Sequence, residues 1–255
     1  MKKNIMEVVY IPLFALLVVF PLLMLILRLE PKGLAQTFSD PFFWKSVYLT
    51  FWAALGAALL SLILAIGFGY YHLFKPRSAI YKLAFLMNEL PLALPHTVAG
   101  LALLIAFGRR TMGFLGETGL AFTPTAVVIA MFLASYPLAA RALTAGLDSM
   151  AKEVIEVART LGDTPVEAYF KVALPSVRGA LFSGFVLAYA RALSEFATVA
   201  LFGGNVAGRT QVLASYVFSQ IEAGHLEMAV AAGAFSLVWS LAVVSLLSFR
   251  RLIRC

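Results

Sequence analysis

The chain alternates between long apolar runs and short polar segments. Each run holds about 20 mostly apolar residues, the length that a helix needs to cross the hydrocarbon core of a bilayer. The runs are continuous, whereas a half-buried strand alternates apolar and polar positions. The pattern predicts an all-α integral membrane protein, with one transmembrane domain over residues 1–255. The six predicted spans are about 8–27, 46–74, 83–107, 124–147, 179–203 and 228–248.

Composition supports the membrane class. Apolar residues make up 62% of the chain and charged residues 13%, against roughly 45–50% and 25% in soluble domains. The first apolar run resembles a secretory signal, but it is too long for a signal core and no small-x-small cleavage site follows it, so we expect an uncleaved span. The net charge of +7 does not predict nucleic-acid binding, because no basic face studded with aromatic residues is visible.

The distribution of Lys and Arg predicts the orientation. With the N-terminus inside, the inner segments hold 13 of these residues and the outer segments hold 6, while Arg191 lies within a span. Cytoplasmic loops carry the excess of positive charge. We therefore expect a multi-pass protein of the cell inner (cytoplasmic) membrane, with both termini and the polar segment 148–178 in the cytoplasm.

That polar segment begins with a short amphipathic helix. Apolar residues recur at helical spacing over 149–161, with charged residues between them. Asp148 or Ser149 is available as the N-terminal cap. Gly162 follows at the position where a left-handed residue ends many helices.

A second helix is predicted to start at once. Thr164, Pro165 and Glu167 form a capping box with proline at the first helical position. Pro175 is expected to end the helix, since proline lacks a donor and restricts the residue before it. The predicted apolar face of this helix consists of Val166, Tyr169, Phe170 and Ala173. This exposed face suits either a groove on a partner protein or the inner membrane surface, with Tyr169 and Phe170 in lipid.

At these residues the chain resembles the cytoplasmic EAA loop of permease subunits in binding-protein-dependent ABC importers. The pattern is carried by Glu156, Ala158, Gly162, Val172, Leu174 and Pro175. Every spacing matches, although Val157 stands where a second alanine is usual and Val172 where isoleucine is common. Segments 90–110, 136–150 and 185–205 are similar to the sulfate, molybdate and tungstate branch of these permeases, which usually has paired prolines at Pro95-His96 and often a glycine at Ala197.

The resemblance implies a type I permease fold, working as a homodimer or close heterodimer. It implies a coupling helix near 165–173 that docks on a dimer of ABC ATPase subunits, an extracytoplasmic solute-binding protein and a lipid environment. The implied activity is ATP-driven import of molybdate, tungstate or sulfate by alternating access. The residues expected to couple to the ATPase are Glu156, Ala158, Gly162, Thr164, Pro165, Glu167, Ala168, Tyr169, Phe170, Leu174 and Pro175.

No cofactor is expected on this chain itself. A phosphate-binding GxxxxGK[ST] loop is missing, because no lysine follows a glycine. ATP and Mg would therefore belong to the partner ATPase, and the chain would be a transport subunit and not an enzyme. The three histidines share no metal-ligand spacing, and Cys255 is the only cysteine, so no metal site or disulfide is expected.

Two charges lie inside a predicted span. Arg191 and Glu195 are four residues apart in 179–203, and each costs roughly 2.5–3.5 kcal/mol at mid-helix on insertion scales. They are therefore expected to pair on one face. The pair is either a structural tie between helices or part of a gate, and Pro95, His96 and Thr97 are the other candidate pathway residues, unless they only bend a scaffold helix.

Other functions remain open at this point. A self-sufficient secondary transporter would need coupling-ion sites at broken helices in mid-membrane, for which Glu89, Glu195 and the prolines are the only hints. An ABC permease for a different small solute has the same pattern. A membrane-embedded enzyme would need a polar catalytic set, and none can be assembled. Segment 205–228 is too mixed to span and predicts a short surface helix.

Overall fold

The computed structural model describes residues 5–115 and 117–252, and nearly all of the described chain is helical. The predicted all-α class is confirmed, while Cys255 lies outside the described residues. The helices are α1 (Ile5–Phe14, a π-helical turn Ala15–Val19, and Phe20–Leu27), α2 (Pro31–Ser39), α3 (Pro41–Phe74), α4 (Ala79–Ala93), α5 (His96–Phe107), α6 (Pro124–Asp148), α7 (Glu153–Thr160), α8 (Pro165–Ala168, a π-helical turn Tyr169–Ala173, and Leu174–Ser176), α9 (Arg178–Leu193), α10 (Leu213–Glu222) and α11 (Leu226–Leu252). Short turns Arg109–Met112 and Gly113–Leu115 follow α5, and a π-helical turn, Val199–Gly203, follows α9.

Contacts between helix ends define two ends of the bundle. His72 in α3 lies 2.8 Å from the hydroxyl of Tyr81 in α4 and 2.8 Å from a carboxylate oxygen of Asp148 in α6. Elsewhere, the backbone N–H of Phe122 donates to the carbonyl of Phe202 at 3.0 Å, which joins the start of α6 to the turn after α9. We call the first end, which carries α7 and α8, the loop end, and the other the far end.

The chain passes between these two ends six times in the described residues. Helices α1, α3, α6 and α11 are each long and apolar enough to cross a bilayer alone. The other two passages are α4 with α5, and α9 with the π-helical turn after it. Helix α9 reaches a spanning length only when it is taken together with α8, which is bent from it by 75°.

Two of the six predicted spans are therefore not single continuous helices. Segment 83–107 is divided because Leu94 is extended, with φ −77° and ψ 138°. Pro95 causes this break, since a proline disfavours helical backbone at the residue before it. Segment 179–203 leaves the helix at Ser194 and turns again from Val199.

Close packing at the centre of the bundle depends on small residues. A Cβ on Gly184 of α9 would lie 3.1 Å from the carbonyl oxygen of Ala139 in α6. A Cβ on Gly146 of α6 would collide with the side chain of Ala180 in α9. Without side chains at these positions the backbones approach closely and gain dispersion contacts. Helices α3, α6 and α9 thus form the rigid centre to which α8 is attached.

Candidate functional site

Helix α7 places one apolar face against the bundle and one charged face outward. Ile155 and Ala158 are buried, whereas Glu156 is exposed. The expectation that Asp148 or Ser149 caps this helix is wrong. Helix α6 extends to Asp148, whose carboxylate contacts His72, and α7 starts only after Lys152, which offers no side-chain cap.

Gly162 ends α7 in the predicted left-handed conformation. Its φ is +101°, a value that L side chains rarely adopt. The N–H of Asp163 donates to the carbonyl of Ala158 at 3.1 Å, and the N–H of Gly162 to that of Arg159 at 3.3 Å. These two bonds are the Schellman arrangement. The turn leads directly into the start of α8.

The start of α8 is the predicted capping box. Thr164 Oγ1 accepts from the N–H of Glu167 at 3.2 Å, and Glu167 Oε2 accepts from the N–H of Thr164 at 2.8 Å. Lys171 Nζ lies 3.1 Å from both Glu167 Oε1 and Asp163 Oδ1. Hydrogen bonds from Thr164, backbone first, and then Lys171 lower the pKa of Glu167 to about 2. Glu167 is therefore ionised at neutral pH, and the first turn of α8 is fixed.

The two adjacent aromatic residues of α8 face in different directions: Tyr169 faces the bundle and Phe170 faces outward. Tyr169 is fully buried, and its hydroxyl donates to the carbonyl of Ile66 in α3 at 2.7 Å. The prediction that Tyr169 lies on the exposed face is wrong, because successive helix residues diverge by about 100°. Val166 and Phe170, four residues apart, are 50% and 56% exposed. Ala168 is buried beside Tyr169.

The sequence predicted that Pro175 ends α8, but the helix continues past this residue. The last turn continues through Leu174–Ser176, and the helix ends at Val177. A π-helical turn precedes it, in which the N–H of Leu174 donates to the carbonyl of Tyr169. Since proline supplies no N–H to the helix ladder, the distortion lies next to it. Leu174 is buried and Pro175 exposed, and the chain then bends by 75° into α9.

A second site lies where the two broken passages meet. Arg191 Nη2 donates to Glu195 Oε2 at 2.8 Å, which confirms the expected pair. The same nitrogen lies 2.8 Å from His96 Nε2 at the start of α5. Glu195 is buried and also accepts from the N–H of Thr198 at 3.1 Å, while the Thr198 hydroxyl donates to the carbonyl of His96 at 3.1 Å.

The side chain of His96 reaches the ion pair through Arg191. Its Nδ1 lies 3.7 Å from Glu195 Oε2, which is too far for a hydrogen bond. Glu195 therefore takes its charge-assisted bond from Arg191.

The other candidate pathway residues lie beside this cluster. Pro95 and Thr97 are exposed, and Pro95 contributes the helix break. The sequence did not single out Thr198, because a threonine in an apolar run gives no signal until the fold places it beside His96. It also missed the ion pair of Glu89 with Arg141 and the contact of His72 with Asp148, which tie α4 and α3 to α6.

Comparison with known proteins identifies the family. The family model described as "Binding-protein-dependent transport system inner membrane component" matches residues 61–254. The chain belongs to this family. It is the membrane-spanning permease subunit of an ABC importer, a class that works with separate ATPase subunits and substrate-binding proteins.

Several named permeases are similar to this chain. The probable transport system permease protein NifC of Clostridium pasteurianum is 30% identical over 87% of this chain and 81% of its own length. The molybdenum transport system permease protein ModB of Escherichia coli K12 is 32% identical over 77% and 78%. The sulfate transport system permease protein CysT of Salmonella typhimurium is 33% identical over 53% and 50%.

Solved structures confirm the type I permease fold. A chain of the bacterial alginate ABC transporter, in complex with a pentasaccharide-bound periplasmic protein, superposes with a TM-score of 0.77 at 15% identity, covering 97% of this chain and 93% of that one. A chain of the MetNI methionine ABC transporter superposes with a TM-score of 0.63 at 19% identity, covering 85% and 98%. At these identities the likeness concerns the fold alone.

Proposed function

We propose that this permease imports a tetrahedral oxyanion, molybdate, tungstate or sulfate, by ATP-driven alternating access. The substrate class is supported by relatives whose names specify molybdenum and sulfate transport. The energy would come from a separate ATPase that closes on ATP and moves α8. The observation that carries this proposal is the construction of α8, a short helix that is fixed at its start and its middle and presents two apolar side chains outward.

A helix that transmits force has to be held firmly by its own subunit. An isolated helix as short as α8 is marginal in water. Here the capping box fixes its start, and Tyr169 anchors its middle to Ile66 across 103 residues of sequence. Val166 and Phe170 remain exposed, and adjacent apolar residues on one helix face suit a groove on a partner. Movement of α8 would therefore pass directly to α3.

The family motif fits this role residue by residue. Glu156 is exposed beside α8 and would contact the ATPase, together with Val166 and Phe170. Ala158, Ala168 and Leu174 are buried and would hold the loop on the bundle. The remaining motif residues, Gly162, Thr164, Pro165, Glu167 and Pro175, would set the turn, the helix start and the bend.

Uptake by the reconstituted transporter tests the coupling role. Phe170→Glu should abolish ATP-dependent uptake of molybdate and sulfate into proteoliposomes that contain the ATPase and the binding protein. The matched control is Phe114→Glu, because Phe114 is 80% exposed at the far end. Both variants should reach the membrane in normal amounts. Undiminished uptake by Phe170→Glu would contradict the proposal, and equal loss in both variants would show a general charge effect.

A second permease copy and the orientation belong to the same proposal. A six-passage bundle makes a thin wall for a solute path, and a two-fold dimer would enclose one between its copies. The loop end would face the cytoplasm with both termini, in the inner membrane. A membrane-impermeant thiol reagent tests the orientation, with single cysteines placed at Leu161 or at Phe114, at opposite ends, in a chain that carries Cys255→Ser. Labelling of Leu161→Cys from outside intact cells would show that the loop end faces outward and would contradict the proposed orientation.

The cluster of His96, Arg191, Glu195 and Thr198 would act as a gate in this path. It joins two broken passages, and a broken helix supplies a hinge where an unbroken one does not. Contacts of 2.8–3.1 Å link the four residues. Movement of α9 would therefore either break these contacts or move all four residues together. Pro95 and Thr97 would lie at the edge of the gate.

A leak assay separates a gate from a structural tie. The variant Glu195→Gln keeps the size of the side chain but weakens its bond to Arg191. If the cluster is a gate, ATP hydrolysis should continue while uptake falls and oxyanion leaks without ATP. Loss of stability with unaltered uptake per folded molecule would indicate that the cluster only holds the helices together. Uptake driven by a proton gradient without the ATPase would instead favour a secondary transporter.

A further inference from the structure

All three tryptophans of the chain line one groove on the far half of the bundle. Trp44 and Trp52 lie on α3 and Trp239 on α11. The groove has a volume of about 820 Å³, and its lining comes mostly from α3, with Trp239 of α11 on the same groove. Trp44 and Trp52 are eight residues apart, so the groove runs about 12 Å along the helix axis from the far end toward mid-membrane.

The walls of the groove are held by contacts between aromatic rings. Phe51 packs edge-on against Trp52 at 5.2 Å and against Trp239 at 6.1 Å between ring centroids. Phe235 stacks on Trp239 at 6.0 Å. Such pairs stabilise a fixed arrangement beyond the area that they bury. These contacts fix the shape of the aromatic wall.

Two cations, Lys45 and Arg209, line the groove at its far rim. Arg209 follows Gly208, whose φ of +73° sets the turn, and a Cβ on Gly208 would lie 3.5 Å from Cδ of Lys45. Within residues 5–115 and 117–252, the salt bridges include neither cation. Lys45 instead lies 5.8 Å from the centroid of the Phe42 ring. Both cations are exposed and available to an anion.

We propose that this groove binds an anionic phospholipid from the membrane leaflet at the far end. Lys45 and Arg209 would hold the phosphate, and an acyl chain would lie on the aromatic wall between Trp52 and Trp239. An apolar wall below paired cations matches the two halves of such a lipid, since Trp prefers the interface and cations attract anionic headgroups. The proposal is independent of the imported solute.

Charge favours a lipid over a second copy of the chain in this groove. The exposed apolar helix α1 is a candidate to pack there, because none of its window Val9–Leu27 is buried by the chain itself. That window carries no charged residue. It would cover the aromatic wall but leave Lys45 and Arg209 without an anion, whereas a phospholipid supplies both parts.

The tryptophans report directly on the occupant. The full chain, with its ATPase, is placed in nanodiscs of phosphatidylcholine that contain a small share of lipid brominated on its acyl chains, which quenches nearby indoles. Brominated phosphatidylglycerol should quench more strongly than brominated phosphatidylcholine at the same mole fraction. The variant Lys45→Gln/Arg209→Gln should lower this preference by about thirty-fold, the effect of two cations at about 1 kcal/mol each.

A matched variant controls for charge. Arg109→Gln/Arg110→Gln removes two cations from another far-end turn and should keep the preference, as should the charge-preserving Lys45→Arg/Arg209→Lys. Equal quenching by both lipids overturns the proposal, and so does an absence of quenching, which indicates that a second copy fills the groove. Loss of the preference on adding inorganic sulfate at fixed ionic strength would assign the cations to a free oxyanion and also overturn it.

Discussion

The hydroxyl of Tyr169 in α8 donates a 2.7 Å hydrogen bond to the backbone carbonyl of Ile66 in α3. The ring around that hydroxyl is fully buried, and it occupies space that only Gly69 leaves open, because a Cβ there would lie 2.6 Å from the hydroxyl oxygen. The family's loop motif is thereby attached to α3, the longest helix of the described bundle. We expect movement of α8 to reach the membrane through this contact.

Two substitutions at Tyr169 should separate the hydrogen bond from the packing. Tyr169→Phe removes only the hydroxyl and should lower the free energy of unfolding by about 1 kcal/mol, with uptake largely retained. Tyr169→Ala leaves a cavity and should cost about 3–5 kcal/mol, with uptake lost. Thermal unfolding in detergent measures the change in stability of both variants. Equal effects of the two variants would contradict the anchor model.

Gly162 should be sensitive for conformational reasons alone. No heavy atom lies within 4 Å of a Cβ built there, yet φ is +101°, so Gly162→Ala should cost about 1–2 kcal/mol through backbone strain. Gly179 in α9 is the matched control. A Cβ there is equally unhindered, and Gly179→Ala should be neutral or slightly stabilising. Uptake should fall only in Gly162→Ala, and Gly162→Asn should restore part of it, since Asn tolerates the left-handed region.

The capping box should make the start of α8 sensitive to acid. The folded-state pKa of Glu167 is about 2, below its ordinary value of 4.5. A depressed carboxyl pKa stabilises the fold above the ordinary value, and that contribution is lost as pH falls through about 4.5 toward 2. Hydrogen exchange of the α8 amides should show this loss in the native chain, after correction for the intrinsic exchange rate. Glu167→Gln should abolish the pH dependence in that window, and its persistence would assign the effect to another group.

Thr164→Ala tests the other half of the capping box. The variant removes the side-chain acceptor of the Glu167 N–H and should cost about 1 kcal/mol at neutral pH. Thr164→Ser keeps an acceptor and should be close to native. Exchange protection of the first turn of α8 reports the difference, and identical protection in the two variants would argue against the cap.

The pair of Arg191 and Glu195 should show strong coupling in a double-mutant cycle. Arg191→Met leaves Glu195 buried without its cation and should cost about 3–5 kcal/mol. Arg191→Met/Glu195→Gln removes the stranded charge and should be more stable than Arg191→Met alone. Thermal unfolding of the four proteins gives the coupling free energy. Additive effects would mean that the two charges do not depend on each other.

Local features of this protein follow from its sequence because they depend on neighbours in the chain. The capping box at Thr164 and Glu167 and the left-handed Gly162 both appear as predicted, since each rests on hydrogen bonds and conformational preferences within a few residues. The error at Asp148 has the same local character. Two short helices adjoin there, and α6 retained the residue that was expected to cap α7.

Contacts between distant segments could not be predicted from the sequence. Thr198 and the meeting of His96 with Arg191 depend on two helix breaks that face each other across the bundle, 95 residues apart in the chain. The six passages were visible as apolar runs, but the break at Leu94 was predicted only as a bend. Whether a proline bends a helix or interrupts it depends on what packs beside it.

The sequence by itself determined the membrane class, the family motif and the turns that build α7 and α8. Only the tertiary structure decided which side of α8 faces outward, and it turned Tyr169 inward while leaving Val166 and Phe170 exposed. The reason is physical. Helix and turn formation are governed by local backbone energetics, whereas the side of a helix that becomes buried is fixed by the space that other helices leave, here the gap beside Gly69 in α3.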